Sequence, residues 1–219
     1  MVGPVETYVV RVWLPDRPGA LGQVASRIGA VRGDVVGIDI LERGGGRAVD
    51  ELVVSLPDGT AIDLLVAEIT QVDGVAVEEV RRVASDRPDA GLVALEMAAR
   101  LAETPSGDRL PALAEQLTEL LDGGWVVALD EQSERPVVTA GPAPDAGWIA
   151  AFINGSRHLS AADQAASAPD DLAWAHMPTA DLTVAIGRTG RPFHTRERLQ
   201  LALLCRVTDA LVGGRGPVA

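Results

Sequence analysis

The chain has no lysine: all nineteen of its basic residues are arginines. That absence excludes Schiff-base enzymes, pyridoxal enzymes, phosphate-loop nucleotidases and protein kinases, each of which needs a lysine amine at its centre. Cysteine is almost as scarce. Cys205 stands alone, so intramolecular disulfides, iron–sulfur clusters and cysteine-built zinc sites are excluded. Positive charge is in deficit, with a net charge of −12 over 219 residues. Residues 1–84 carry −5 and residues 85–219 carry −7, so neither half is a basic arm. Nucleic acid is therefore not an expected partner, because phosphate binding needs a cationic surface and counterion release. No uninterrupted apolar run approaches the ~18 residues of a membrane span. Met1 to Leu14 reaches Arg11 without the apolar core of a secretion signal, which makes a cytoplasmic protein the expectation.

What the chain does have is apolar residues, 47% of the total. That is enough for a packed core and excludes wholesale disorder. Tyr8, Val10, Val12 and Leu14 alternate with Val9, Arg11 and Trp13, the pattern of a half-buried strand. Asp16-Arg17-Pro18-Gly19 breaks it. Leu21, Val24, Ile28 and Val31 follow at helical spacing, with Gly33 as the expected stop. Val35 to Leu41 and Ala48 to Leu56 read as strands joined by Gly44-Gly45-Gly46. Thr60-Ala61-Ile62-Asp63 has the form of a capping box and opens a helix faced by Ile62, Leu65, Val66 and Ile69. Gly74 is its expected end, and Val75 to Val83 supplies a last strand. The order βαββαβ is the ferredoxin-like arrangement.

Ser85 to Gly91 reads as an acidic linker around Pro88. Helical spacing returns with Leu92, Leu95 and Leu101, and again with Leu110, Leu113, Leu117 and Leu120, up to Gly123-Gly124. Trp125 to Leu129 and Val137 to Ala140 are short strands. Trp148, Ile149, Phe152 and Ile153 mark a helix, Leu172 to Met177 and Leu182 to Ile186 a hairpin, and a last helix starts near Thr195. The expected organisation is α+β throughout: a ferredoxin-like domain over 1–84, a linker over 85–91, a second domain with an antiparallel sheet over 92–213, and a tail over 214–219.

Leu14-Pro15-Asp16-Arg17-Pro18-Gly19-Ala20-Leu21, set between the first strand and helix of a βαββαβ unit, resembles the ACT domain. That small regulatory module is attached to many amino-acid-metabolising enzymes. The second domain resembles a GAF domain, a small-molecule sensor or dimerisation module, in its element order and in the run Ile186-Gly187-Arg188-Thr189-Gly190-Arg191-Pro192-Phe193 before the last helix. Bilin attachment would need a cysteine in the pocket region, and a lysine-containing cyclic-nucleotide signature is missing. No cofactor is expected.

The first turn carries chemistry suited to an amino acid. Gly19 lets backbone approach a ligand closely. The amides of Gly19, Ala20 and Leu21 lie at a helix N-terminus, where free N–H groups and the helix dipole favour a carboxylate. Asp16 can accept an ammonium; the plainer alternative has Asp16 cap the helix and Pro18-Gly19 only shape the turn. The ACT resemblance implies that a polar residue opening the second strand of a partner subunit completes the site, and Asp34 stands there. ACT domains often carry Asn where Asp16 stands, and some carry His at the position of Leu14, which cannot hydrogen-bond.

Other constellations are weaker. Trp148, Phe152, Trp174 and His176 form a candidate pocket wall in the second domain, against the alternative of plain core. His158, His176 and His194 lack a metal-ligand spacing, so no metal is expected. Cys205 lies inside an apolar helix and reads as an inert thiol. No Gly-x-Ser-x-Gly elbow or His-Glu-x-x-His helix is present. Asp50-Glu51, as strand neighbours, point to opposite faces. The expected function is a non-catalytic regulator that binds a free amino acid at an ACT-type homodimer interface and signals to an unknown protein partner in trans. The rival is a dimerisation or scaffold protein with no metabolite; an enzyme with an unrecognised site in the second domain is a third reading.

Overall fold

The computed structural model describes residues 5–156 and 171–213. The chain divides into two compact units, Met1–Asp89 and Ala90–Ala219. The first contains β1 (Val5–Pro15), α1 (Ala20–Ala30), β2 (Asp34–Gly44), β3 (Arg47–Pro57), α2 (Ile62–Ile69) and β4 (Ala76–Val83). The strands form one antiparallel sheet in the order β2-β3-β1-β4, the ferredoxin-like topology expected from the sequence. Val10, Val12 and Leu14 of β1 and Leu52, Val54 and Leu56 of β3 meet Val24, Ile28, Leu65 and Ile69 from the two helices.

β1 departs from the half-buried pattern. Val9 and Arg11, on the face away from the helices, are 0% and 4% exposed. The strand is central, so neighbours flank it on both sides, and long side chains lie over its far face. Arg11 Nε donates to Glu51 Oε2 at 2.7 Å, and Arg87 reaches back from beyond β4 to Glu51 Oε1 at 3.2 Å. Trp13 Nε1 donates to Glu78 at 2.7 Å, while the Arg47 guanidinium sits 5.3 Å from the indole centre.

The helix ends differ from expectation in an instructive way. Gly33 does not take the left-handed position after α1; Arg32 does, at φ 60°. The Gly33 and Arg32 amides donate to Ile28 and Gly29 carbonyls at 3.0 and 2.9 Å, the paired bonds of a Schellman motif. Gly33 is needed for space: a Cβ there would lie 2.7 Å from Leu56 Cδ2 and 2.8 Å from Ile28 Cγ2. The same device closes the helix Arg109–Leu120 of the second unit, with Asp122 left-handed at φ 49° and Gly123 pressed on Ile186. Gly74 does not end α2, which stops at Ile69; it lies in the turn into β4. The capping box fails too. Ala61 is the N-cap, and Thr60 instead donates its hydroxyl to the Pro57 carbonyl at 2.7 Å.

The second unit runs α3 (Ala90–Glu103), a 3-10 turn (Ser106–Asp108), α4 (Arg109–Leu120), β5 (Trp125–Asp130), β6 (Pro136–Ala140), α5 (Ala146–Ser156), β7 (Leu172–Met177), β8 (Leu182–Gly187) and α6 (Thr195–Gly213). α3 starts inside the segment read as linker. The antiparallel sheet has the order β6-β5-β8-β7. On one face Met97, Leu101, Leu113, Leu117, Leu201 and Leu204 pack against Val126, Val184 and Ile186. On the other, Ile149 and Ile153 of α5 pack on Val127, Leu129 and Ala185. Both units are thus α+β with four-stranded antiparallel sheets.

Arg188, in the run Ile186 to Phe193, has a structural task. Its guanidinium is buried and pairs both ways with Glu197, Nη1 to Oε1 at 2.9 Å and Nη2 to Oε2 at 2.8 Å. It also donates to the Leu121 carbonyl at 2.7 Å, to the Arg191 carbonyl at 3.2 Å, and to the Pro192 carbonyl. The Phe193 ring lies 4.0 Å beneath it. Glu197 in turn accepts the His194 N–H at the start of α6, at 2.9 Å.

Candidate functional site

The turn between β1 and α1 is held by backbone. The Asp16 N–H donates to the Gly46 carbonyl in the β2–β3 hairpin turn at 2.9 Å, and the Arg17 N–H to the Pro15 carbonyl at 2.8 Å. Gly19 is the N-cap of α1, in the left-handed region at φ 85°. A β-carbon there would meet nothing within 4 Å, so the turn faces open space. No side chain caps α1 and no acid occupies its first turn. The partial positive charge of the helix end thus lacks the carboxylate that often neutralises it. Asp16 is exposed and does not cap the helix, which removes the plainer role open to it in the sequence. Ala20 is buried in the core, Leu21 half-buried.

Asp34 opens β2, as expected, and is exposed. In the same chain it is distant from the turn. Asp34 is in register with Ser55, whereas Pro15 is in register with Arg47. Eight strand residues separate those levels, roughly 27 Å. A single chain does not bring Asp16 and Asp34 together. β2 is, however, the sheet edge, and Val36, Ile38 and Ile40 along it are 58%, 50% and 40% exposed. Antiparallel pairing of this edge with its copy would carry the partner's Asp34 to the turn end of the strand.

A carboxylate absent from the expected site lies beneath α1. Asp50, on the helix-facing side of β3 between Ala48 and Leu52, is 3% exposed. Its Oδ1 has no hydrogen-bond partner among the described residues. Burial pushes its carboxyl up; the Arg43 charge opposes that shift and Asp16 adds to it. Sequence reasoning assigned strand geometry to the Asp50-Glu51 pair but could not tell that both faces are covered.

In the second unit the aromatic residues do come together. The Trp148 and Phe152 rings stack at 5.9 Å, and Phe152 meets Trp174 edge-on at 5.6 Å. His176 belongs to a different group. Its Nδ1 lies 2.9 Å from Glu131 Oε1 and 2.8 Å from Thr183 Oγ1, and Thr183 donates to the same Glu131 oxygen at 2.5 Å. With the hydroxyl proton directed to Glu131, Nδ1 is the ring nitrogen that donates toward these oxygens. A hollow of about 260 Å³, counting its open mouth, is lined by Leu129, Asp130, Glu131, Glu134, Ala150, Ile153, Asn154 and Thr183. None of Trp148, Phe152, Trp174 or His176 lines it. Glu131 and Thr183 were missed in the sequence; hairpin pairing of His176 with Thr183 was the available signal.

His194 is buried beside Glu197, and His158 lies outside the described residues. Among the described residues no cluster of three His, Cys, Asp or Glu could hold a metal, and no helix is long and apolar enough to cross a membrane. Cys205 is fully buried, its thiol pushed up to about 12 by burial, with Asp209 adding to the shift.

No family model matches the sequence, and no curated protein matches it. Among solved structures, the chain is similar to an unknown protein from Galdieria sulphuraria at 17% identity and a TM-score of 0.33, over 44% of this chain and 65% of that one. It is similar to a formyltetrahydrofolate deformylase from Pseudomonas putida at 19% identity and 0.31, over 43% of this chain and 38% of that one. The ACT domain of GTP pyrophosphokinase from Chlorobium tepidum matches at 17% identity and 0.28, over 41% of this chain and 96% of that domain. Scores this low carry no argument about function; the architecture itself, an α+β chain with a ferredoxin-like first unit, is what the strand order establishes.

Proposed function

We propose that the chain is a non-catalytic regulator whose first unit binds a free amino acid at a homodimer edge and whose signal passes to another protein in trans. The observation that carries this reading is the open, uncapped N-terminus of α1 behind Gly19. Backbone amides there suit the ligand's carboxylate, and Asp16 suits its ammonium. The exposed apolar row on edge strand β2 supports a second copy pairing there, and Asp34 of that copy then joins the site. The second unit is read as a GAF-like partner module, a reading supported by its antiparallel sheet with helices on both faces.

Thermal melts of the full chain with each of the twenty amino acids test this. A ligand at ~100 times its dissociation constant adds about 2.7 kcal/mol, a shift of several degrees for units of this size. Asp16→Ala is expected to remove the shift and leave the dimer intact by light scattering. If no amino acid moves the melt while the chain is still a dimer, the scaffold reading, which the Val36–Ile38–Ile40 row alone favours, takes its place.

A further inference from the structure

The position of Asp50 relative to α1 follows from two spacings. Near the end of α1, Ile28 and the β3 residue Leu56 both press on Gly33. From Ile28 back to Ala20 the helix descends roughly 12 Å, at ~1.5 Å per residue. Along β3 that distance is about four residues, at ~3.3 Å each. The first turn of α1 therefore stands over the Leu52 and Asp50 level of the sheet. Asp50 points to that side, since Ala48 and Leu52 on either side of it belong to the helix-facing core. Its charged neighbours are Arg43 of β2 and Asp16 of the turn.

A buried carboxylate with an unmet oxygen is costly unless something supplies a donor. α1 and the neighbouring strands bring Asp50 no hydrogen bond at that oxygen among the described residues. A bare metal ion is a poor candidate, because Arg43 adds positive charge and no cluster of three metal-ligating side chains exists among the described residues. A group with its own N–H donors and one positive charge fits better. We propose that Asp50 is the buried ammonium acceptor beneath the α1 N-terminus, so that the site takes a zwitterionic α-amino acid and rejects the same molecule without its amine. The proposal rests on the amino-acid reading above and gives the ammonium a second, desolvated acceptor besides Asp16 on the exposed rim. The Gly19 and Leu21 amides receive the carboxylate, the Ala20 N–H being turned to the Arg17 carbonyl at 3.3 Å, while Asp16 from the rim and Asp50 from below share the ammonium.

The test is titration calorimetry on the full chain with the amino acid giving the largest melting shift, and with its deaminated counterpart: propionate for alanine, 4-methylpentanoate for leucine, 3-phenylpropionate for phenylalanine. Wild type is expected to bind the amino acid at least ten-fold more tightly than the deaminated acid. Asp50→Asn is expected to weaken amino-acid binding roughly ten- to hundred-fold, the effect of one charge-assisted hydrogen bond. It should leave the deaminated acid unchanged, so the preference collapses. Equal weakening of both ligands, or none, would overturn the role of Asp50 while the amino-acid reading stands. Equal affinity of wild type for both ligands would overturn it without any variant, whether or not Asp50→Asn folds. Absence of binding by all twenty amino acids brings down the parent reading and this inference with it.

Discussion

Arg188→Met is the substitution whose cost the structure defines most sharply. The side chain is 1% exposed, and its partner Glu197 is 6% exposed. Methionine matches much of the arginine stem and keeps contact with Phe193, so little packing is lost. What is lost is the bidentate pair with Glu197 and three bonds to the Leu121, Arg191 and Pro192 carbonyls. Glu197 then stays buried without its guanidinium partner, still accepting the His194 N–H. Breaking a buried pair by removing one partner costs about 3–5 kcal/mol. For a unit of ~130 residues the unfolding entropy is ~0.27 kcal/mol/K, so the melting temperature should fall by about 11–18 °C. Urea unfolding followed by tryptophan fluorescence checks this, because Trp125, Trp148 and Trp174 all lie in this unit. Arg188→Met with Glu197→Leu should recover a large part of the loss, since the stranded charge is gone. A single-variant loss below about 1 kcal/mol, the range of an exposed pair, would refute the reasoning. So would a double variant no more stable than the single.

Arg32→Gly should stabilise the first unit by several tenths of a kcal/mol, because a left-handed position no longer carries a side chain. Gly33→Ala should destabilise it by about 1–3 kcal/mol as the new methyl meets Leu56 and Ile28, and chemical denaturation ranks the pair. Cys205, with its thiol pushed up to about 12, should not react with Ellman's reagent until the chain is unfolded. Asp50 has a carboxyl raised above 3.8 by burial, with Arg43 and Asp16 as the charges facing it. Its protonated form favours the fold below that ordinary value, and this contribution is lost as pH rises through the raised one. Asp50→Asn should therefore melt higher than wild type at neutral pH, and the gap should close in acid; a gap independent of pH would refute it.

Elements with repetitive apolar spacing were legible in the sequence, and elements closed by a single long-range pair were not. β1, β2 and β3 and the helices through Val24 and Leu117 are written in alternation or in three-four spacing, which local sequence carries, though the burial of both faces of β1 is not written there. Helix stops were misplaced because glycine has two uses. At Gly33 and Gly123 it makes room against Leu56 and Ile186, while Arg32 and Asp122 take the left-handed turn. Only the packed structure separates those uses. Thr60 failed as a cap because the Pro57 carbonyl competes for its hydroxyl. In the candidate site, Asp16, Gly19 and Asp34 were legible through chemistry and resemblance. Glu131 with Thr183 was not, since the two lie 52 residues apart; Asp50 was not, since only the packed helix shows that its face of β3 is covered.

Two buried carboxylates in this chain deserve to be set against each other, because they separate structure from site by the same arithmetic. Glu197 is desolvated and fully answered: both oxygens meet Arg188, and one also takes a backbone N–H. A carboxylate satisfied in that way fixes a loop and a helix start, and it has no capacity left for a ligand. Asp50 is as little exposed and has an oxygen with no partner among the described residues. The fold could have placed a leucine there, as it does two residues on, at Leu52. It places instead a charge below an uncapped helix end and a glycine turn facing open space. That uncompensated local cost is what the proposed ammonium would offset.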